Sequence, residues 1–434
     1  VRFRASEIAA LLGGALDGPD VEVTGAGIDS RELRPGELFV PIIAERDGHD
    51  FIDAALAAGA PAYLTAQGVR GATAIVVEDT AIALTRLGSM ARDRLGPHVV
   101  GITGSVGKTT TKDLTSAAVS GGRRVHASER SFNNELGVPL TLVNAPDDTE
   151  VTVIEMGARG LGHIAELCAV ARPTIGVVTA VELVHTELLG DLAGVAGAKG
   201  ELIEALPESG TAILNADNQL VAAMAGRAVA DVLRYGFGDA DVRAEDVVVD
   251  RELRPSFRLR TPWGDADVGL AARGPHNVSN ALAAAAVALV VGVDLTAVAA
   301  GLGEATMSPW RMEMRRTATG AIVLNDAYNA GPASMAAALR ALEHLDARRR
   351  IAVLGPMAEL GAHSAPAHAR IAALADEFGV EILAVDAPEY GAPVVADIEA
   401  ALHALGELRP DDAVLVKGSR VAGLEKLAQA LLDS

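Results

Sequence analysis

The segment GITGSVGKTTTKDL, Gly101 to Leu114, follows a short apolar run and carries the side chains of a phosphate site. Gly104, Ser105 and Gly107 are small enough to let backbone N–H groups face an anion. Lys108 can reach the outer phosphates of a nucleotide, the Thr109 hydroxyl can ligate Mg²⁺, and Thr110 completes the hydroxyl pair at a helix start. The spacing departs from the commonest phosphate loop, which has a glycine five positions before Gly107. Ile102 stands there, and Gly101 comes one residue early. The competing reading is a glycine-rich strand-to-helix turn with no ligand.

Further along, VTVIEMGAR puts Glu155 near the carboxyl end of an apolar run. A lone acid there is costly unless it is ion-paired or holds a metal. Ligands of α/β folds gather at such strand ends. His185 follows another apolar run, where a histidine can be a ligand or a structural group. Read alone, SFNNELGVP with Asn133 and Asn134 is a turn, and Lys199 in GVAGAKGELIEAL is an exposed helix lysine.

These residues need strands to hold them. From His98 onward apolar strand signals (VVGITG, VTVIEMG, TIGVVTAV, TAILNAD) alternate with amphipathic helices, the pattern of a mostly parallel, doubly wound α/β sheet. Residues 240–270 suggest antiparallel strands beside that sheet, and a helix is expected from about Asn277 to Val291. A Ser-Pro break and the charge run of MSPWRMEMRR mark a boundary just ahead of Trp310. Beyond it AIVLNDAY, RIAVLGPM, VEILAVD and AVLVKGS predict a second, smaller α/β unit. The expected organisation is three α/β domains over residues 1–98, 99–309 and 310–434.

The chain has 434 residues, half of them apolar, and a formal charge of −20. That charge disfavours nucleic acid as a partner, which needs a broad basic face. The single cysteine, Cys168, excludes a disulfide framework and suits a reducing cytoplasm. VRFRASEIAALLGG reads as an amphipathic helix, not a signal peptide. The longest apolar run, Ala281 to Val293, has 13 residues and is too short to span a bilayer.

The shortened loop with Thr103 before it resembles that of the Mur ligases, the ATP-dependent amide ligases of peptidoglycan precursor synthesis, and of the related folylpolyglutamate synthetases. The resemblance runs over essentially the whole chain. It implies ATP and two Mg²⁺ ions, with Glu155 and His185 as metal residues, and Lys199 modified by CO₂ to a carbamate that offers a second metal an oxygen ligand. It places His276 and Asn280 of GPHNVSNAL at the adenine, and Asn133 and Asn134 toward a nucleotide-sugar. Arg311, Asp326, Tyr328 and Asn329 would close over the nucleotide. Asp29-Ser30-Arg31 resembles a uridine-nucleotide module, with Ser30 and Arg31 as substrate contacts. The pattern departs at Asn325, Gly331 and Pro356, and before His185, where Glu182-Leu183-Val184 stand.

The segments YNAGP and VLGPMAELG, with no Asp-Asn-Pro-Arg tetrapeptide, are similar to the family type that acts on a UDP-N-acetylmuramoyl-tripeptide and D-alanyl-D-alanine. The expected agent is a cytoplasmic monomer. The alternatives are a related amide ligase that adds a single amino acid, or a P-loop regulatory ATPase.

Overall fold

The computed structural model describes residues 1–129, 131–182 and 190–433, and among them the strands form three main sheets and a two-stranded pair. The largest has nine strands, in the order Gly264–Gly269, Pro255–Thr261, Val242–Val249, Asp231–Gly236, Thr211–Asn215, Ile175–Val178, His98–Thr103, Val151–Glu155, Val125–Ala127. From Val125–Ala127 across to Val242–Val249 every pairing is parallel. The inner strands are nearly continuous apolar runs because both faces of a parallel sheet are covered by helices.

His98–Thr103 lies between Val151–Glu155 and Ile175–Val178. The chain leaves this strand toward one edge and later returns to build the other. Its carboxyl end is therefore a topological switch point, where loops diverge and leave a crevice. The strand is followed by the helix Lys108–Ser120, whose inner face buries Leu114, Ala118 and Val119. Against that helix and the sheet lies Asn277–Val290, with Ala281 to Leu289 all buried. A helix that is apolar all round belongs in a core. Alanine keeps it thin enough to sit between the sheet and the helices above it.

A five-stranded sheet over Ala15 to Val76 forms the amino-terminal unit, and a six-stranded sheet over Glu313 to Val395 and Asp412–Lys417 forms the carboxyl-terminal one. The charge run at 313–316 is an edge strand, Glu313–Arg316, antiparallel to Ile322–Asn325. Charged side chains there discourage further pairing. Two expectations are corrected. The strands after residue 240 extend the main sheet itself, and the first of them, Val242–Val249, runs parallel to its neighbour. Short strands at Val125–Ala127 and Asp231–Gly236 also join the sheet, where the sequence shows no long apolar run. Cys168 is free and buried, and burial, then Glu201, pushes its thiol up to about 12. Among the described residues no helix is long and apolar enough to cross a membrane.

The alanine helix gives a test of packing. Ala284 is fully buried, so Ala284→Leu must displace neighbours. A loss of about 1–3 kcal/mol is expected, read as a lower urea midpoint with an unchanged slope.

Candidate functional site

The loop after His98–Thr103 is shaped by contacts from the next strand. Gly104 has φ 149°, and a Cβ there would meet Thr179 Oγ1 at 1.9 Å. The Ser105 N–H donates to the Ala180 carbonyl at 2.8 Å, and its hydroxyl donates to the Glu182 carbonyl at 3.1 Å. Gly107 caps the helix Lys108–Ser120 in the left-handed region, φ 86°, and no side chain caps that end. The first-turn amides remain available, at the positive end of the helix dipole, for an anion. A Cβ on Gly107 would meet Asn280 Oδ1 at 2.5 Å. Asn280 therefore packs against the loop, and it also accepts from Thr111 Oγ1 at 3.2 Å. Lys108 folds back, donating from Nζ to the Gly104 carbonyl at 2.7 Å. Its pKa is lowered by burial, drawn back up by Glu155 and lowered again by Arg311.

Glu155 ends its strand 1 % exposed. Thr109 Oγ1 donates to its Oε2 at 2.7 Å and Asn133 Nδ2 to its Oε1 at 2.8 Å. No ion-pair partner stands against it among the described residues. From the carboxyl-terminal unit Arg311 donates from Nη2 to Thr109 Oγ1 at 2.8 Å. Glu155, Thr109, Asn133 and Arg311 thus form one cluster drawn from four separate segments.

Lys199 lies on the helix Leu192–Glu204 and is 2 % exposed. The reading of an exposed helix lysine is corrected: this face of the helix packs inward. No hydrogen-bond partner reaches its ammonium among the described residues. Burial, then the charge of Lys108, lowers its pKa to about 7, so much of it is the neutral amine near pH 7. His185 lies outside the described residues.

The donor set fits Mg²⁺. The hydroxyl of Thr109 and the unpaired carboxylate of Glu155 are hard oxygen donors a hydrogen bond apart. Among the described residues no three His, Cys, Asp or Glu side chains converge. Mg²⁺ does not need them, since it keeps waters and nucleotide phosphates and takes one or two protein ligands.

His276 is half-buried at the start of the alanine helix, and its buried Nδ1 has no partner among the described residues. Burial holds its pKa down to about 4, against Asp326, which raises it, so the ring is neutral. Tyr328 donates its hydroxyl to Ser131 Oγ at 2.6 Å and carries the Arg311 guanidinium 4.1 Å over its ring. Asp326 is turned to support. It accepts from Lys417 Nζ at 2.6 Å and from the Met312 N–H at 3.1 Å. Asn329 lends its carbonyl to the same lysine at 2.8 Å. Lys417 was not singled out from sequence, although a lysine ending the apolar run AVLVK is the signal that could have marked it. Ser131 and Thr179 were missed as well, and a single hydroxyl gives no such signal.

Of the asparagine pair, Asn133 enters the cluster while Asn134 accepts from the Gly137 N–H at 2.9 Å and closes a turn. Ser30 and Arg31 lie apart, in the amino-terminal unit. Arg31 pairs with Asp29 at 2.6 Å and is otherwise open, and that hydrogen-bonded pairing holds the Asp29 carboxyl down at about 2. Nearby, Arg34 pairs with Glu129 at 2.8 Å, which ties this unit to the segment leading into Asn133. Of the departures, Asn325 accepts the Ala327 N–H at 3.2 Å. Gly331 precedes the helix Pro332–Glu343. Pro356 accepts the Ser419 N–H through its carbonyl at 3.0 Å.

Similarity to known proteins runs along the whole chain. The Mur ligase middle domain matches residues 102–288, and the Mur ligase, glutamate ligase domain matches residues 310–420. The UDP-N-acetylmuramoyl-tripeptide–D-alanyl-D-alanine ligase of Mycobacterium bovis is 39% identical, over 100% of this chain and 98% of its own. That of Escherichia coli is 36% identical, over 99% of this chain and 98% of its own. A crystal structure of MurF from Acinetobacter baumannii aligns at a TM-score of 0.89 with 28% identity, covering 100% of this chain and 99% of that one.

Glu155→Gln separates charge from shape at the centre. Without metal, the variant is expected to match the parent within about 1 kcal/mol, because an unpaired buried carboxylate is itself costly. Mn²⁺ binding is expected to weaken by about 10-fold or more. Urea unfolding and a Mn²⁺ titration check the two halves.

Proposed function

The chain belongs to the Mur ligase family, and we propose that it joins D-alanyl-D-alanine to a UDP-N-acetylmuramoyl-tripeptide at the expense of ATP. The observation that carries this is full-length similarity to ligases of that name, together with a phosphate loop whose Thr109 meets both Glu155 and Arg311. A solved MurF from Thermotoga maritima holds ADP, which supports ATP as the nucleotide.

In this reading residues 1–98 bind the nucleotide-sugar through Ser30 and Arg31, 99–309 bind ATP, and 310–434 close over it. The first step makes an acyl phosphate. A carboxylate oxygen of the tripeptide attacks the γ-phosphorus, and the bond to the β-phosphate oxygen breaks to release ADP. In the second step the amine of D-alanyl-D-alanine attacks the acyl carbon. The amide forms, inorganic phosphate leaves and the amine loses a proton.

An anion must approach a triphosphate, so the barrier is largely electrostatic. Lys108 and the first-turn amides hold the phosphates. Arg311 brings a second cation from the far side, and the closure that carries it excludes water from the acyl phosphate. His276, neutral and with a free ring nitrogen, suits the nucleotide base beside Asn280. Thr109 and Glu155, with His185 by the resemblance, would hold Mg²⁺, which would supply charge neutralisation on the phosphates.

Lys199 fits a carbamate. A buried lysine lowered to about 7 presents the neutral amine that adds CO₂, and the product is an anionic oxygen donor for a second metal. The same burial makes the bare ammonium costly. The protein is expected to act as a cytoplasmic monomer.

Ligation assays with product analysis test the reaction: D-alanyl-D-alanine should be incorporated, and single amino acids should not. A preference for a single amino acid would overturn the assignment. Lys108→Ala should lower the rate by about 100-fold or more while leaving a folded protein. Lys199→Ala should lose most activity and regain part of it with formate or acetate. Carbon-13 bicarbonate should give a carbamate resonance in the parent that this variant lacks. A fully active Lys199→Ala would remove the lysine from the site.

A further inference from the structure

Glu201 stands two residues beyond Lys199 on Leu192–Glu204. Two residues turn a helix by about 200°, so the two side chains leave on different faces. Lys199 goes into the core, and the Glu201 carboxylate goes to the neighbouring helix His163–Ala171. Its Oε1 accepts the Gly162 N–H at 2.6 Å, and its Oε2 accepts the Ala165 N–H at 3.1 Å. That helix cannot cap itself, because the cap position is Gly162, at φ 85°. A carboxylate from another helix satisfies two orphan amides at the positive end of the dipole.

The helix so capped ends the loop that begins at Glu155. The Gly157 N–H donates to the Asn133 carbonyl at 2.8 Å, and the Arg159 N–H donates to His163 Nδ1 at 3.2 Å. The loop is therefore held at Asn133, at His163 and at Glu201. Among the described residues the hydrogen bonds that join it to the helix that carries Lys199 are those of Glu201, beside an apolar contact of Leu161 with Gly197.

We propose that Glu201 is a positioning residue of the ligase centre: by binding Gly162 and Ala165 it locks the loop behind Glu155 to the helix of Lys199, and so fixes the separation of the two side chains that hold metal. This rests on the proposed reading of Glu155 and Lys199 as metal-holding groups. Glu204 provides the control. It is on the same helix and carries the same charge, but it pairs with Arg227 at 2.8 Å, away from the loop.

The test uses the full-length protein with Mn²⁺ as the probe, in the presence of ADP, and hydrogen exchange of residues 157–165 in the metal-free, nucleotide-free protein. Glu201→Ala should speed exchange in that loop and weaken Mn²⁺ binding by about 10-fold, as removal of outer partners of metal ligands does. Glu201→Gln, which keeps an acceptor oxygen, should recover part of both. Glu204→Ala should move neither. If Glu155→Gln loses Mn²⁺ affinity while Glu201→Ala keeps it, the positioning role is overturned and the metal reading stands. If Glu155→Gln also keeps full affinity, the metal reading itself fails. Equal losses in Glu201→Ala and Glu204→Ala would show a general effect of helix charge and overturn the role. Should Glu201→Ala not fold, Glu201→Gln decides, since wild-type exchange and affinity in it would also overturn the role.

Discussion

A carboxylate buried at a strand end, hydrogen-bonded but without an ion pair among the described residues, sets the terms for the rest of this structure. Glu155 is held by a threonine hydroxyl and an asparagine amide, which keep it hydrogen-bonded without cancelling its charge. Burial lowers both Lys108 and Lys199; Glu155 draws Lys108 back up, and the charge of Lys108 lowers Lys199 further. Such a cluster is poorly compensated within the protein alone. In the proposed reading, phosphates, Mg²⁺ and a modified lysine are the kinds of charge that would complete it. The fold brings the cluster together because its central strand stands at the switch point of the sheet, where the loops after three adjacent parallel strands meet.

The carboxyl-terminal unit reaches this centre through a strained linker. Trp310 and Met312 have φ of 60° and 51°, in the left-handed region that non-glycine residues avoid. Between them Arg311 projects to Thr109. The cost of that backbone is offset on both sides. The Arg420 guanidinium lies 4.6 Å over the Trp310 ring, and Asp326, fastened by buried Lys417, accepts the Met312 N–H. Tyr328 adds a hydroxyl bridge to Ser131 across the same boundary. Asp326 and Lys417 therefore serve the site by aiming Arg311. A second polar tie runs from the Ser308 N–H to Asp113, whose carboxylate also pairs with buried Lys112 on the phosphate-loop helix.

Local order made much of this legible before any coordinates. The apolar runs ending at Thr103, Glu155 and Val178 are strands because a parallel sheet is buried on both faces and needs such runs. The phosphate loop showed through small residues, a lysine and a hydroxyl at consecutive positions, since a helix N-terminus is built from contiguous chain. The charge run at 313–316 stood out, and it is an edge strand. Glu155 stood out because an acid ending an apolar strand demands a partner.

The sequence by itself determined the long apolar strands of the central sheet and the helices between them, and that a lysine, a threonine and an acid stand at or just beyond strand ends. The tertiary structure decided the rest. It turned Lys199 from an ordinary helix lysine into a buried one whose pKa is lowered, sent Asn133 to Glu155 and Asn134 into a turn, and recruited Thr179, Ser131 and Lys417. It also made Glu201 the cap of a helix whose Ala165 N–H lies 36 residues from it along the chain. The physical reason is range. Propensity and periodicity act over a few neighbouring residues, whereas burial, desolvation and a hydrogen bond between distant segments exist only once the chain has chosen which faces pack together.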